Sequence, residues 1–298
     1  MKRAVTARER RGEEGPHRCR RSGILGPMPS GFLDYPVPLA FAHRGGAKHR
    51  PENSWSAFTH AIGLGYRYLE TDVQATADGV LVAFHDRTLD RVTDATGRIA
   101  QLPYREVAKA RIGGTEPVPV LEELLTAWPE ARFNIDVKDF PAIRPLAEAL
   151  GRTRAWDRVC VASFSARRLR VFRQAVDRTI CTSLSPFGVA AVRAGADSAR
   201  LAARFAASGA ACAQVPVRMA TPRFLRHAHA LGLQVHVWTV DDPALMRRLL
   251  DAGVDGIMTD DTVALRDVLI ERSQWPAADG QAGDGPAGDG PASQEPAS

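Results

Sequence analysis

The sequence predicts an α/β protein, a closed (β/α)8 barrel of the TIM type. Three observations carry this expectation. Short β-branched runs alternate with longer runs of 3.6-residue period, which implies a parallel sheet covered by helices. The alternating region is about 245 residues long, a length that suits a closed eight-stranded barrel better than an open sheet. No GxGxxG comes after the first strand, which disfavours a dinucleotide-binding fold.

The strand-like runs, in order, are Leu39–His43, Tyr68–Val73, Leu81–His85, Phe133–Val137 and Val159–Phe164. Thr179–Leu184, Cys212–Val217, Val235–Val240 and Gly256–Thr259 complete them. Helical periodicity covers Ser54–Leu64, Leu121–Trp128, Ile143–Leu150, Ala166–Val176, Pro222–Leu231, Pro243–Ala252 and Thr262–Arg272, with a weaker run over Asp197–Ala207. Glycines at 63, 65, 151, 232 and 253 punctuate the junctions. Between Asp86 and about Pro119 lies a short insertion, with Tyr104–Arg111 as a short helix.

The 298 residues carry a formal net charge of +5. That surplus sits in the first 27 residues, which hold eight basic and three acidic side chains, so the rest of the chain is neutral. A nucleic-acid-binding domain is therefore not expected. Residues 1–31 read as a basic, disordered leader, with Met28 a candidate start, and 32–272 as the barrel domain. Residues 273–298 read as a disordered Gly/Ala/Pro/Asp-rich tail. The leader lacks the apolar stretch of a secretory signal. Arg20-Arg21 resembles a twin-arginine signal only in that pair, because glycine and proline interrupt the stretch after it. No run of ~18 apolar residues is present, so no membrane-spanning helix is expected. Cys19, Cys160, Cys181 and Cys212 form no CxxC motif and read as reduced thiols. The expected location is cytoplasmic.

In a barrel of this type, polar residues that end apolar strands are the candidate site residues. The first strand ends His43-Arg44. In the second, Glu70 and Asp72 are two apart and share one face. The third ends His85-Asp86. Asp136 and Lys138 share a face of the next, and Trp238 lies near the end of a later one. Glu70, Asp72 and Asp136 would make an all-oxygen site, suited to a hard divalent cation, Mg²⁺ or Ca²⁺, rather than zinc. His43 and His85 titrate near neutrality and suit a general acid and a general base. Arg44 and Lys138 offer fixed positive charge to a phosphate-like anion. Together these residues point to metal-assisted phosphoryl chemistry. His49, His60, His227 and His229 read as surface or structural, and Arg167, Arg168, Arg170 and Arg173 as a solvated helix face. The alternating pattern around His236 leaves its facing open.

An ordered set of motifs resembles the glycerophosphodiester phosphodiesterase family, in its compact bacterial form. The set is His43-Arg44-Gly45, Pro51-Glu52-Asn53-Ser54, Glu70-Thr71-Asp72-Val73, His85-Asp86 and Asn134-Ile135-Asp136-Val137-Lys138, then Ser163-Phe164, Trp238-Thr239-Val240 and the stretch from Gly253 to Asp260. The resemblance spans roughly Leu39 to Leu269. It implies a TIM barrel that hydrolyses glycerophosphodiesters to glycerol 3-phosphate and an alcohol with one divalent cation, Mn²⁺ being a further candidate. By position it implies His43 and His85 as the acid/base pair and Glu70, Asp72 and Asp136 as metal ligands. It further implies Arg44, Glu52 and Lys138 as phosphate or substrate contacts and Trp238 as the aromatic wall. The chain departs from the family at Asp136, where Glu is usual, and at Ser54, where Thr is common. The insertion is short, as in compact cytosolic members. Two alternatives stand beside this reading: a lysophospholipase D, which needs an apolar entrance, and a catalytically inactive phosphodiester-binding barrel.

Overall fold

The computed structural model describes residues 31–36, 38–195 and 199–276. In chain order its strands are β1 (Leu39–Ala42), β2 (Tyr68–Ala75), β3 (Leu81–Ala83), β4 (Arg111–Ile112), β5 (Glu116–Pro117) and β6 (Arg132–Val137). Next come β7 (Val159–Ala162), β8 (Cys181–Ser183), β9 (Ala210–Pro216), β10 (Gln234–Trp238) and β11 (Gly256–Thr259). The helices are α1 (Trp55–Gly63), α2 (Tyr104–Val107), α3 (Leu121–Ala127), α4 (Ile143–Arg152) and α5 (Ala166–Ala175). The second half adds α6 (Pro186–Arg193), α7 (Ala199–Ala207), α8 (Pro222–Ala230), α9 (Pro243–Asp251) and α10 (Thr262–Glu271). Eight strands run parallel in the ring β1-β11-β10-β9-β8-β7-β6-β2, and the β1–β2 pairing closes it. The predicted barrel is the observed one.

Two elements differ from expectation. The run at Leu81 is not a barrel stave; it pairs antiparallel with β2 as a hairpin. Only Thr76–Val80 joins the two strands, too few residues for a helical crossover. The turn is closed by Thr76 N–H to Val80 O at 2.9 Å, with Gly79 at φ +84°. The second difference is α6, which the sequence reading passes over because Gly188 interrupts a short run. Its start signal is present nonetheless: Ser185 accepts from the Gly188 N–H, and Pro186 occupies the first turn.

The insertion folds on a small core of its own, built from Val82, Phe84, Leu89, Ile99, Val107 and Ile112. Its helix stops at Val107, before the expected Arg111, because Arg111 and Ile112 are drawn into the β4–β5 hairpin. The arginine-rich face of α5 is not uniformly solvated. Arg168 donates to Val137 O at 2.7 Å, and Arg173 reaches inward to the Thr182 hydroxyl.

Alternation along the staves fills the barrel in layers. At the N-terminal end, Phe32 packs edge-on against Tyr68, and the Tyr68 hydroxyl donates to Phe32 O at 2.6 Å. Phe41, Cys160, Cys181, Cys212 and Met258 belong to the same apolar cluster. Cys160 Sγ lies 3.9 Å from Cys212 Sγ, well beyond a disulfide bond, and burial pushes the Cys160 thiol pKa up. His236, whose facing the sequence leaves open, is fully buried and packs on Phe41 at 4.9 Å between ring centroids.

Packing continues past Arg272. Trp275 stands edge-on to Tyr66 at 5.0 Å, so the domain's contacts run beyond the boundary drawn from composition. The expected leader, with Cys19 and Met28, lies outside the described residues apart from Gly31. The expected tail does so from residue 277. Among the described residues, no helix is long and apolar enough to cross a membrane.

Burial holds the His236 imidazole neutral, with its pKa lowered to about 4. Its unfolded value is near 6.5, so its contribution to stability is complete above pH 6.5 and is lost as the pH falls toward 4. The loss from this group is about 3 kcal/mol. Urea unfolding at pH 7 and pH 4 should show His236→Leu with a flatter acid limb than the wild type. An identical pH slope would refute this assignment.

Candidate active site

The C-terminal ends of the staves gather the polar residues around a cavity of about 460 Å³. The turn after β1 is built from unusual backbone. Arg44 has φ +51°, and Gly45 and Gly46 have φ +83° and +97°. Gly45 is required twice over, since an added Cβ would lie 2.7 Å from Ala57 Cβ. The turn aims the Arg44 N–H at Glu70 Oε2, 3.0 Å away. It also sets His43 at the cavity, with Nε2 3.9 Å from Glu70 Oε2 and Nδ1 2.8 Å from Asp260 Oδ1.

Register explains the carboxylate floor. Asp72 pairs with Asp136 across β2 and β6, so both side chains point into the barrel at one level, with Glu70 one layer below. Lys138 Nζ sits 2.7 Å from both Asp72 and Asp136. Arg44 spans Asp72 Oδ2 at 3.2 Å and Glu52 Oε1 at 3.1 Å. Burial and the Asp72 charge push Glu70 up to about 7. Burial would also raise Asp72, but Lys138 and Arg44 outweigh it and its pKa falls. Burial raises Asp136 despite Lys138. Burial would depress His43, yet the Glu70 and Asp260 carboxylates carry it above its ordinary value.

His85 comes just after β3 and has its Nδ1 2.6 Å from Asp86 Oδ1. Arg91, from the insertion, hydrogen-bonds both Asp86 and Glu52. This pairing with Arg91 lowers Asp86 to about 2.

Of the nine site residues expected from sequence, His43, Arg44, Glu70, Asp72, His85, Asp136, Lys138 and Trp238 line the cavity. Glu52 does not; it is held behind Arg44 by two arginines. It therefore braces Arg44 and does not face the cavity. The sequence reading missed Asp260 and Asp86 as partners of the histidines, and Asn53. Asn53, buried at φ +53°, accepts from the Thr71 hydroxyl at 2.8 Å and donates to Asp72 Oδ2 at 3.3 Å. Asp86 and Asn53 stand within motifs already noted, beside His85 and Glu52. Asp260 likewise ends a noted motif, the stretch from Gly253, but its contact with His43 comes from barrel closure, since Ala42 pairs with Thr259 and the next residue on each strand meets the other.

A sequence model described as the glycerophosphoryl diester phosphodiesterase family matches residues 43–264. This chain belongs to that family. Its members are phosphoric diester hydrolases, and the chain is an enzyme of that class. A Mycobacterium tuberculosis protein named "Probable glycerophosphodiester phosphodiesterase 2" is 42% identical over 257 residues, 83% of this chain and 96% of that protein. A glycerophosphodiester phosphodiesterase of Caldanaerobacter subterraneus subsp. tengcongensis is 31% identical over 241 residues, 76% of this chain and 96% of the relative. In fold, the chain is similar to an Oleispira antarctica phosphodiesterase solved with its product sn-glycerol-3-phosphate. The TM-score is 0.68 at 23% identity, covering 78% of this chain and 97% of that one.

Among the described residues, no three His, Cys, Asp or Glu side chains are drawn together as a ready-made ligand shell. The donor set still fits a hard cation. Three inward carboxylates share the floor, Asp136 Oδ1 is buried with no hydrogen-bond partner, and burial with mutual repulsion raises Glu70.

Asp260→Asn tests the His43 contact. Removing a negative charge lowers the His43 pKa, so the limb of the pH–rate profile that His43 controls should move to lower pH. The turnover number should fall by about tenfold or more, part of the ~10²–10⁴ supplied by a positioned acid–base group. An unshifted profile with full activity would remove Asp260 from the site.

Proposed function

We propose that this chain hydrolyses glycerophosphodiesters to glycerol 3-phosphate and an alcohol, in a metal-dependent reaction with His43 and His85 as the acid/base pair. The observation that carries the reading is a shared arrangement. Each histidine has Nδ1 against a carboxylate, His43 on Asp260 and His85 on Asp86, and both side chains line one cavity. Such a bond fixes the ring and leaves Nε2 for the substrate.

The phosphate would enter above the carboxylate floor. Arg44 and Lys138, already held there by Asp72, Asp136 and Glu52, set positive charge beneath it without reorganisation. One histidine takes a proton from the attacking oxygen as the new P–O bond forms. The other returns a proton to the departing alkoxide as the old P–O bond breaks. A divalent cation held by Glu70, Asp72 and Asp136 would neutralise phosphate charge and charge developing in the transition state. Phe164 and Trp238, edge-on at 5.7 Å, wall the same cavity, with the Phe164 ring 5.9 Å from Lys138 Nζ.

Release of glycerol 3-phosphate should be measured across glycerophosphodiesters with choline, ethanolamine and glycerol headgroups. Turnover is expected with Mg²⁺, Mn²⁺ or Ca²⁺ present and should vanish reversibly after exhaustive EDTA treatment. Rates unchanged by chelation would remove the metal from the mechanism. His43→Ala and His85→Ala should each abolish turnover while circular dichroism stays that of the wild type. Near-native rates in either purified variant would overturn the acid/base assignment.

A further inference from the structure

The insertion brings arginines to the barrel mouth that the reaction described above does not use. A second cavity, of about 450 Å³, lies beside the active-site cavity and shares Lys138 with it. Three arginines line this second cavity. Arg87 and Arg98 come from the insertion, and Arg168 stands in the first turn of α5. The backbone holds them in place. Ile99 N–H donates to Arg87 O at 3.1 Å, and Thr88 and Arg98 pair in an antiparallel bridge. Arg168 is tied to the end of β6 by its bond to the carbonyl of Val137, the residue before Lys138.

Charge in this cavity is not balanced. Among the described residues, Arg87, Arg98 and Arg168 make no ion pair with a carboxylate. Lys138 is already held by Asp72 and Asp136. Asp139 is the carboxylate of this lining, and its Oδ1 accepts from the Ala142 N–H at 3.0 Å. Three guanidinium groups against one carboxylate leave a surplus of positive charge. Burial lowers the Arg168 pKa, and Asp136 and Asp139 offset this only in part. An anion in the cavity would supply the missing partner.

The rest of the wall is hydrocarbon, from Phe140, Pro141 and Ala100. Phe140 is 44% exposed, with the Arg167 guanidinium 5.2 Å from its ring centroid. A carbon ring packs on such a wall through its C–H face. A phosphate on that ring then meets guanidinium groups, whose planar forks match phosphate oxygens. Gln74, buried in β2, also lines the cavity and donates to His85 O at 3.1 Å. The cavity therefore borders both Lys138 and the backbone of the second histidine. A diester with its phosphorus at the floor can extend one substituent past these residues into it.

From this juxtaposition, and resting on the phosphodiesterase reading above, we infer that the second cavity receives the alcohol of the diester and selects alcohols that carry a phosphate of their own. A phosphorylated cyclic polyol is the class that fits. The hydrolysis is unchanged in kind. A water oxygen bonds to phosphorus, the P–O bond to the polyol breaks, and the proton lost by water ends on the polyol oxygen. The second phosphate is bound and not cleaved, so the products are glycerol 3-phosphate and the polyol phosphate.

The test compares glycerophosphoinositol 4-phosphate with glycerophosphoinositol, by release of glycerol 3-phosphate from the full chain in the presence of divalent cation. Glycerophosphocholine serves as a third substrate. The wild type should show kcat/KM about tenfold or more higher for the phosphorylated member of the pair, the scale of a charge-assisted hydrogen bond. Arg87→Gln and Arg98→Gln should each lower that ratio by about threefold or more, as expected of exposed guanidinium groups, and the double variant should bring it near one. A loss of folded protein scales both rates together, so the ratio reads binding and not stability. A wild-type ratio near one, or a ratio that the double variant leaves unchanged, would overturn this inference and leave the phosphodiesterase reading standing. Cleavage of glycerophosphocholine with neither inositol substrate turned over would do the same. No release from any of the three would overturn the activity itself.

Discussion

Burying three carboxylates within one barrel is the constraint around which the rest of this site is arranged. Glu70, Asp72 and Asp136 are each almost fully buried, and isolated charges in such surroundings would be prohibitively unfavourable. Lys138 and Arg44 outweigh burial at Asp72 and keep it ionised, while burial raises Asp136 despite Lys138 and pushes Glu70, one layer deeper, up to about 7. Each cation needs its own support. Arg44 is braced by Glu52, Glu52 by Arg91, and Arg91 by Asp86, whose other oxygen meets His85. The chain of contacts runs from the β1 turn through the insertion to the second histidine. The insertion thus closes an electrostatic network that begins at the floor.

How much of this could be read from the sequence divides along a physical line. Period and alternation are local, so the barrel staves and most helices were legible. The pairing of Glu70 with Asp72, and of Asp136 with Lys138, comes from the two-residue repeat of a strand and was legible for the same reason. The hairpin at Leu81 was not, because a β-branched run looks the same whether its partner is parallel or antiparallel. Only the shortness of the Thr76–Val80 link decides it. α6 was passed over because Gly188 lowers its propensity, while its Ser-Pro start makes the stronger argument.

Contacts made by closing the ring were the least visible. His43 and Asp260 are 217 residues apart and meet only because β1 pairs with β11. Glu52 shows the opposite limit. Its place in a motif suggested contact with substrate, but a carboxylate beside two arginines is satisfied by them, and the geometry turns it away from the cavity. A motif fixes which residues are near one another; the ion pairs they make fix which of them remain available.

The apolar side chains that line the cavity illustrate why composition says little about a site. Leu184 belongs to the main buried cluster with Leu225 and Val235, and Val189 and Met219 pack against it, yet Leu184, Val189 and Met219 also line the cavity. Their role depends on which side of the closed ring they face. Net charge is equally uninformative. Beyond the first 27 residues the formal charges cancel, yet at one end of the barrel the cavity sets buried carboxylates against Arg44 and Lys138. A neutral total can therefore coexist with a strongly polar reaction centre next to a hydrocarbon wall.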